Sequence, residues 1–145
     1  MRGAAALLGL AALSGCGNAG KPAEAVAMDN REAAFAAAIA PLYGVRACPI
    51  WTPAELEPRE LALMTRRAAL VAAIDRDPAL RRMVAAIRQR AAESARLTSE
   101  SECASPPLHP RPEDISERSA QLDAEALEIG VAERAYAAFR PSGSA

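Results

Sequence analysis

Arg76-Asp77-Pro78 interrupts the longest helix-forming part of the chain and decides how the helices on either side are arranged. The residue before a proline avoids the α-helical region, so a helix is expected to end at this point. Asp77 is a good N-cap, and Pro78 is a good first residue, for a second helix that follows. The tripeptide therefore predicts a turn between two antiparallel helices. The alternative is that Pro78 only kinks one long continuous helix.

The composition on both sides of this turn is typical of an all-α protein. About a quarter of the residues are Ala, the best helix former, and only 3% are aromatic. Few stretches alternate apolar and polar residues over the length of a strand. The formal net charge is −1 at pH 7, which gives no overall sign of nucleic-acid binding. We therefore expect one all-α domain that binds no nucleic acid.

Apolar residues recur at helical spacing in four segments, which predicts a four-helix up-and-down bundle. The helices are expected at about residues 24–43, 58–75, 78–102 and 112–140, with a short turn at 53–57 before the second. The residues expected to face the core are Met28, Phe35, Ile39 and Leu42; Leu63, Leu70 and Ile74; Leu80, Val84 and Ile87; and Ile115, Leu122, Ile129 and Tyr136.

Local signals mark the loop between the first two helices. Gly44 is expected to cap the end of the first helix. Thr52 and Glu55 have the spacing of a capping box at the start of the second. Trp51, the only tryptophan, is expected to plug the end of the core. A contact with a ligand or with lipid is the alternative for this side chain.

The stretch Leu13-Ser14-Gly15-Cys16 follows Arg2 and an apolar run at residues 4–12. It resembles the lipobox of bacterial lipoproteins. The resemblance implies a signal peptide cut between Gly15 and Cys16, and a diacylglyceryl group on the Cys16 thiol. The apolar run is too short to remain as a membrane span, which takes about 20 residues. An ordinary secretory signal and a misassigned start codon are the alternatives.

Acylation at Cys16 would anchor the protein to a membrane, because two or three acyl chains bind almost permanently. Gly17 is not the Asp associated with inner-membrane retention, so we expect the periplasmic face of the outer membrane; the inner membrane is the alternative. The chain is then divided into a signal peptide at 1–15, a lipidated Cys and flexible tether at 16–24, a helical domain at 25–140 and a disordered tail at 141–145.

Assigning Cys16 to lipid leaves Cys48 and Cys103 as an even pair in an oxidising compartment. If the chain reverses at Arg76-Asp77-Pro78, both cysteines lie at the same end of the bundle. If Pro78 only kinks one helix, they lie on the order of 70 Å apart. The antiparallel arrangement therefore predicts a Cys48–Cys103 disulfide. Two reduced thiols, or a disulfide to a partner, are the alternatives.

No motif of catalysis, phosphate binding or metal binding occurs in the sequence, and His109 is the only histidine. We therefore expect no enzyme activity, no cofactor and no metal site. Residues 59–96 hold nine Arg against four acids, whereas residues 97–145 hold nine acids against four Arg. The plain interpretation is that helices 2 and 3 pair with helix 4. The alternative is contact with a partner or an anionic surface, for which the candidates are Arg66, Arg67, Arg81, Arg82 and Arg88.

These features predict an envelope interaction or accessory protein that binds another protein through a helical groove. Small helical lipoproteins that contain a disulfide include the secretin pilotins, but this similarity is one of architecture alone, without a shared motif. The alternative is a helical lipoprotein that binds a small molecule or a lipid. That function requires an apolar cavity between the helices, and the space under Trp51 is the candidate.

Overall fold

The computed structural model describes residues 23–46, 48–98 and 103–139. The lipobox with Gly15 and Cys16, most of the predicted tether, and the tail at 141–145 lie outside the described residues. The same holds for residues 99–102, which were expected to end the third helix. The side chain of Met28, predicted to face the core, is also outside what is described.

The described chain is all-α, as its composition predicts, and contains no strand. The four helices are α1 (Ala23–Ile39), α2 (Glu57–Asp75), α3 (Arg81–Thr98) and α4 (Pro112–Phe139). Three short 3-10 turns adjoin them: Ala40–Tyr43 prolongs α1, Ala54–Leu56 leads into α2, and Pro78–Leu80 leads into α3. None of the described helices is both long and apolar enough to span a membrane.

The turn between α2 and α3 has the structure that its sequence predicts. The Asp77 carboxylate accepts a hydrogen bond of 3.1 Å from the backbone N–H of Ala79, and Pro78 occupies the first position of the 3-10 turn. Leu80, only 1% exposed, then enters the core. Capping thus satisfies an N–H that has no partner within the turn.

The Cys48–Cys103 disulfide is present, with the two Cα atoms 5.4 Å apart. Cys48 precedes α2 and Cys103 follows α3, so the chain must reverse between these helices. One long kinked helix is therefore excluded, and the prediction of the disulfide is confirmed.

The side-chain contacts fix the relative directions of three helices. Partners advance together along α2 and α4, so these two run in the same direction. The pairs are Arg59–Asp123, Arg66–Glu133 and Ala73–Tyr136. Along α1 the order is reversed: Phe35 stacks on Phe139, whereas Arg46, beyond the end of α1, reaches Glu125. Helix α1 is therefore antiparallel to α4.

The core consists largely of the residues that helical spacing selected. The five largest side chains that are less than 2% exposed are Ile39, Ile74, Leu80, Leu122 and Ile129. Others from the predicted faces are buried around them: Phe35, Leu42, Leu70, Val84 and Ile87. Leu63 and Tyr136 are partly buried against this core. Among the described side chains of α3, the buried ones lie in the first half and end at Ile87.

Gly44 lies at the predicted helix end but does not use the conformation that glycine favours. Its φ is −59° and its ψ is 132°, and its N–H donates to the carbonyl of Pro41 at 3.4 Å. Any L-residue adopts this extended backbone. The helix therefore ends without the left-handed residue that usually makes glycine the preferred cap.

Replacing Gly130, a buried residue inside α4, with Ala is expected to raise the free energy of unfolding by about 0.5–1 kcal/mol, because Gly is costly inside a helix. The new Cβ would lie 3.3 Å from Arg134 Nη1 and 3.7 Å from Arg66 Nη2, both ends of flexible side chains. Chemical denaturation measures the change. Gly44→Ala serves as the control and is expected to be near neutral. Destabilisation by Gly130→Ala would show that the two guanidinium groups cannot shift.

Candidate functional site

Arg118, on the inner side of α4, is the most buried charged residue among those described, with 3% exposure. Its Nη2 donates to Glu60 Oε2 at 2.7 Å, and its Nε donates to Thr52 Oγ1 at 2.9 Å. Its Nη1 lies 3.2 Å from Gln121 Oε1 and 3.4 Å from Glu125 Oε1. With Arg46, which contacts Glu125 at 2.5 Å, these residues form the Arg118 cluster.

The Arg118 cluster attaches the loop before α2 to both α2 and α4. The Thr52 hydroxyl accepts a hydrogen bond from Arg118 and donates one to Glu60. The predicted capping box is therefore wrong: the following 3-10 turn has Pro53 at its N-cap and no side-chain capping bond. Hydrogen bonds to charged groups are stronger than neutral ones, which explains why the hydroxyl joins this pair.

Both carboxylates of the Arg118 cluster have a lowered pKa. Hydrogen bonds from Thr52 and then from Arg118 lower the pKa of Glu60 below its ordinary 4.5. Burial by itself would raise the pKa of Glu125, but the hydrogen bond and charge of Arg46, together with Arg118, outweigh it and the net shift is downward. Both groups are therefore carboxylates at neutral pH.

Acid is expected to destabilise the fold through these two groups. Because their folded pKa lies below the unfolded value, their contribution is complete above the unfolded pKa and is lost as pH falls through the folded pKa. Stability should therefore decrease below about pH 4.5. Urea titrations at several pH values measure this loss. In the Glu60→Gln variant, the free energy of unfolding should decrease less as the pH is lowered. Glu57→Gln, an exposed control on the same helix, should leave this pH dependence unchanged. Equal pH dependence in the two variants would contradict the assignment of the acid sensitivity to the Arg118 cluster.

An open crevice of about 500 Å³ lies beside the Arg118 cluster. Trp51 is half-buried and lines this crevice, and it is not a member of the main core cluster. The crevice is lined by Arg46, Ile50, Trp51, Pro107, Asp114, Glu117, Arg118, Gln121, Ala124, Glu125 and Glu128. Its lining is therefore largely charged, unlike the apolar cavity expected of a site for lipids.

The arginines singled out from the sequence do not share one environment. Arg66 binds Glu133 of α4, as the plain interpretation of the charge distribution predicts. Arg88 pairs with Asp75 at 2.6 Å and lies over the Tyr43 ring, 5.2 Å from its centroid. Its neighbour Asp75 also accepts the Tyr43 hydroxyl at 3.0 Å. Burial, then this hydrogen bond, raises the pKa of Tyr43, so the phenol stays protonated.

The three remaining candidates differ from these. Arg67 is half-buried, and its Nε has no hydrogen-bond partner among the described residues. Arg81 and Arg82 are exposed at the start of α3 and form no ion pair within the described part of the chain. Of the five candidates, Arg81 and Arg82 alone are exposed and have no ion-pair partner among the described residues.

Two further depressions adjoin α1. The first, here called the α1–α3 groove, measures about 660 Å³. It is lined by Glu32, Ala33, Ala36, Ala37, Ala40, Gly44, Met83, Ile87, Arg90 and Ala91. The second is an apolar pocket of about 420 Å³ between α1 and α4, around the stacked rings of Phe35 and Phe139.

Within the described residues, no group of three His, Cys, Asp or Glu side chains is arranged to hold a metal ion. Comparison of the chain with protein-family models, with curated proteins and with solved structures gave no match.

Proposed function

We propose that this protein is a small envelope protein anchored by lipid on Cys16 to the periplasmic face of the outer membrane. In this proposal the mature domain is an up-and-down four-helix bundle and a non-enzymatic protein-interaction or accessory module. The α1–α3 groove is the observation that carries the proposal. It is open and lined mainly by small side chains, which suits a partner helix.

The groove fits a helix for a steric reason. Helices pack by placing the side-chain ridge of one helix into the groove of another, and an amphipathic helix can bind a preformed groove through its apolar face. Ala33, Ala37 and Ala91 allow close approach. Met83 is unbranched and adapts to irregular surfaces. The resemblance to pilotins, which hold a partner segment, remains one of architecture alone.

Site-specific photo-crosslinking in intact cells tests the partner function. A photoreactive residue at Ala37, inside the groove, is expected to capture one discrete envelope protein. The same residue at Ala62, exposed on α2, is the matched control and should not. The groove-filling substitution Ala91→Trp should abolish the crosslink formed from Ala37. Indistinguishable crosslinking from both positions would refute a groove-bound partner.

The lipid anchor has its own test. Mass spectrometry of the mature protein is expected to show Cys16 as the first residue, carrying a diacylglyceryl group. Cys16→Ser should stay unprocessed, and membrane fractionation should place the native protein in the outer membrane. An intact presequence with an unmodified Cys16 would contradict the anchor. Recovery in the inner membrane would change the proposed location from the outer to the inner membrane.

Contact with anionic lipid headgroups is proposed for the five candidate arginines. Their environments favour Arg81 and Arg82 over Arg66, Arg67 and Arg88.

A small-molecule or lipid-binding function is the second candidate, favoured by the apolar pocket around Phe35 and Phe139. Titration with a fluorescent fatty acid tests it. Saturable binding that Ala135→Trp removes would support this candidate, and absence of binding would dismiss it.

A further inference from the structure

The crevice beside Trp51 has two unlike walls. One wall is a face of α4, where Asp114, Glu117, Gln121, Ala124 and Glu128 follow one another at helical spacing. The other wall comes from two loops and carries Ile50, Trp51 and Pro107. The Cys48–Cys103 disulfide joins these loops covalently. An acidic wall thus faces an apolar wall whose position is fixed before any ligand arrives.

The charges at the base of the crevice balance one another. Arg46 and Arg118 bind the carboxylates of Glu60 and Glu125, two positive charges against two negative ones. At one end, Asp114 pairs with Arg111 at 3.3 Å.

Glu117 and Glu128 remain, and both are exposed. Neither makes an ion pair with a residue that the structure describes. The crevice therefore presents uncompensated negative charge, which attracts a cationic ligand.

The spacing of these two carboxylates sets the size of the ligand. Glu117 and Glu128 are eleven residues apart on α4, which corresponds to about 16 Å at 1.5 Å per residue. In an extended peptide, side chains four residues apart point to the same side and lie about 13 Å apart, and the long Arg or Lys side chains reach the remaining distance. Between the two acids, the α4 wall holds Gln121 and Ala124, together with Arg118 and Glu125, whose charges are already balanced within the Arg118 cluster. A ligand that matches the crevice is therefore charged at both ends and apolar in the middle.

We propose that the crevice binds an extended basic segment of a partner protein. Two Arg or Lys side chains four residues apart, which point to the same side of the extended segment, pair with Glu117 and Glu128. Apolar side chains between them contact Ile50, Trp51 and Pro107. A preformed wall reduces the ordering cost of binding. This inference rests on the proposed role as a protein-interaction module, and it adds a second surface, separate from the α1–α3 groove.

Trp51 supplies the readout, since it is the only tryptophan in the chain. The disulfide-bonded protein is titrated with an eight-residue peptide that has Arg at positions 2 and 6 and apolar residues between. A saturable change in Trp51 fluorescence is expected, and added salt should weaken binding. A peptide of the same composition with the two Arg adjacent should bind at least fivefold more weakly. Spermidine, a cation without apolar side chains, should also bind more weakly.

Charge-matched variants test the two carboxylates. Glu117→Gln with Glu128→Gln is expected to weaken peptide binding at least tenfold. Glu57→Gln with Glu113→Gln removes the same charge from exposed positions outside the crevice and should change binding less than twofold. Circular dichroism verifies that both variants fold. The inference is overturned if the peptide gives no saturable response, if the two variants lose equal affinity, or if spermidine or the peptide with adjacent Arg binds as tightly. Crosslinking from Ala37 is independent of these outcomes, so either proposal can fail alone.

Discussion

Replacing Cys48 and Cys103 together with Ser lowers the free energy of unfolding by about 4 kcal/mol, the largest loss expected for this chain. The two cysteines are 55 positions apart, so the bridge closes a long loop and removes much conformational freedom from the unfolded chain. The position of the bridge adds to this effect. Beyond Ile87, α3 contributes no fully buried side chain among the described residues, and the bridge follows this part of the helix.

Urea unfolding followed by circular dichroism measures this loss, with linear extrapolation to water. Reducing the native protein should reproduce the effect of the double substitution, whereas the reductant should not alter the variant. Hydrogen exchange should show an early loss of protection in the second half of α3, because none of the side chains described there is fully buried. A loss below about 1 kcal/mol would mean that packing alone holds this part of the bundle.

Arg118→Ala is expected to lower the free energy of unfolding by about 3 kcal/mol, because removal of one partner from a buried ion pair leaves its opposite charge uncompensated. The side chains of Glu60 and Glu125 keep 29% and 15% exposure, so water can partly solvate them and the cost stays near the lower limit for such pairs. The loop that carries Thr52 and Arg46 should also loosen, with a change in the fluorescence of Trp51.

Arg59→Ala is the matched control for this prediction. Arg59 binds Asp123 and Ser119 from α2, but it is exposed, and exposed ion pairs contribute at most about 1 kcal/mol. Combining Arg118→Ala with Glu60→Gln should recover part of the loss, because the uncompensated charge is then also removed. Equal losses for Arg118→Ala and Arg59→Ala would show that burial of the Arg118 cluster contributes nothing.

Local signals were enough to predict the helices, the α2–α3 turn and the disulfide. Pro78 with Asp77, and Pro112 at the start of α4, are strong markers of helix boundaries, and the repeat at Leu122 and Ile129 identifies a buried face. The disulfide followed because a chain reversal brings Cys48 and Cys103 to one end. Each of these inferences needs only neighbouring residues and one topological assumption.

The Arg118 cluster and the crevice were missed because they depend on residues far apart in sequence. Thr52 has good capping spacing, and nothing near it reveals that Arg118, 66 positions later, competes for its hydroxyl. One signal was present: Arg118 and Glu125 occupy core-facing positions between Ile115, Leu122 and Ile129. Charged residues at such positions indicate a buried ion pair. Likewise, Arg66 and Arg88 form ion pairs with residues that helix packing brings close, and composition alone does not predict these pairs.

The stacking of Phe35 on Phe139 places the first helix beside the end of α4, and this arrangement sets the distance between the Trp51 crevice and an N-terminal anchor. The chain enters the bundle at the end where α4 finishes, and Glu117 lies about 33 Å back along α4 from Phe139. In a chain anchored through its N-terminus, the crevice is therefore held at the distal end of the bundle. If the proposed anchor on Cys16 is present, the domain would act as a spacer that offers its acidic wall to molecules beyond the bilayer surface.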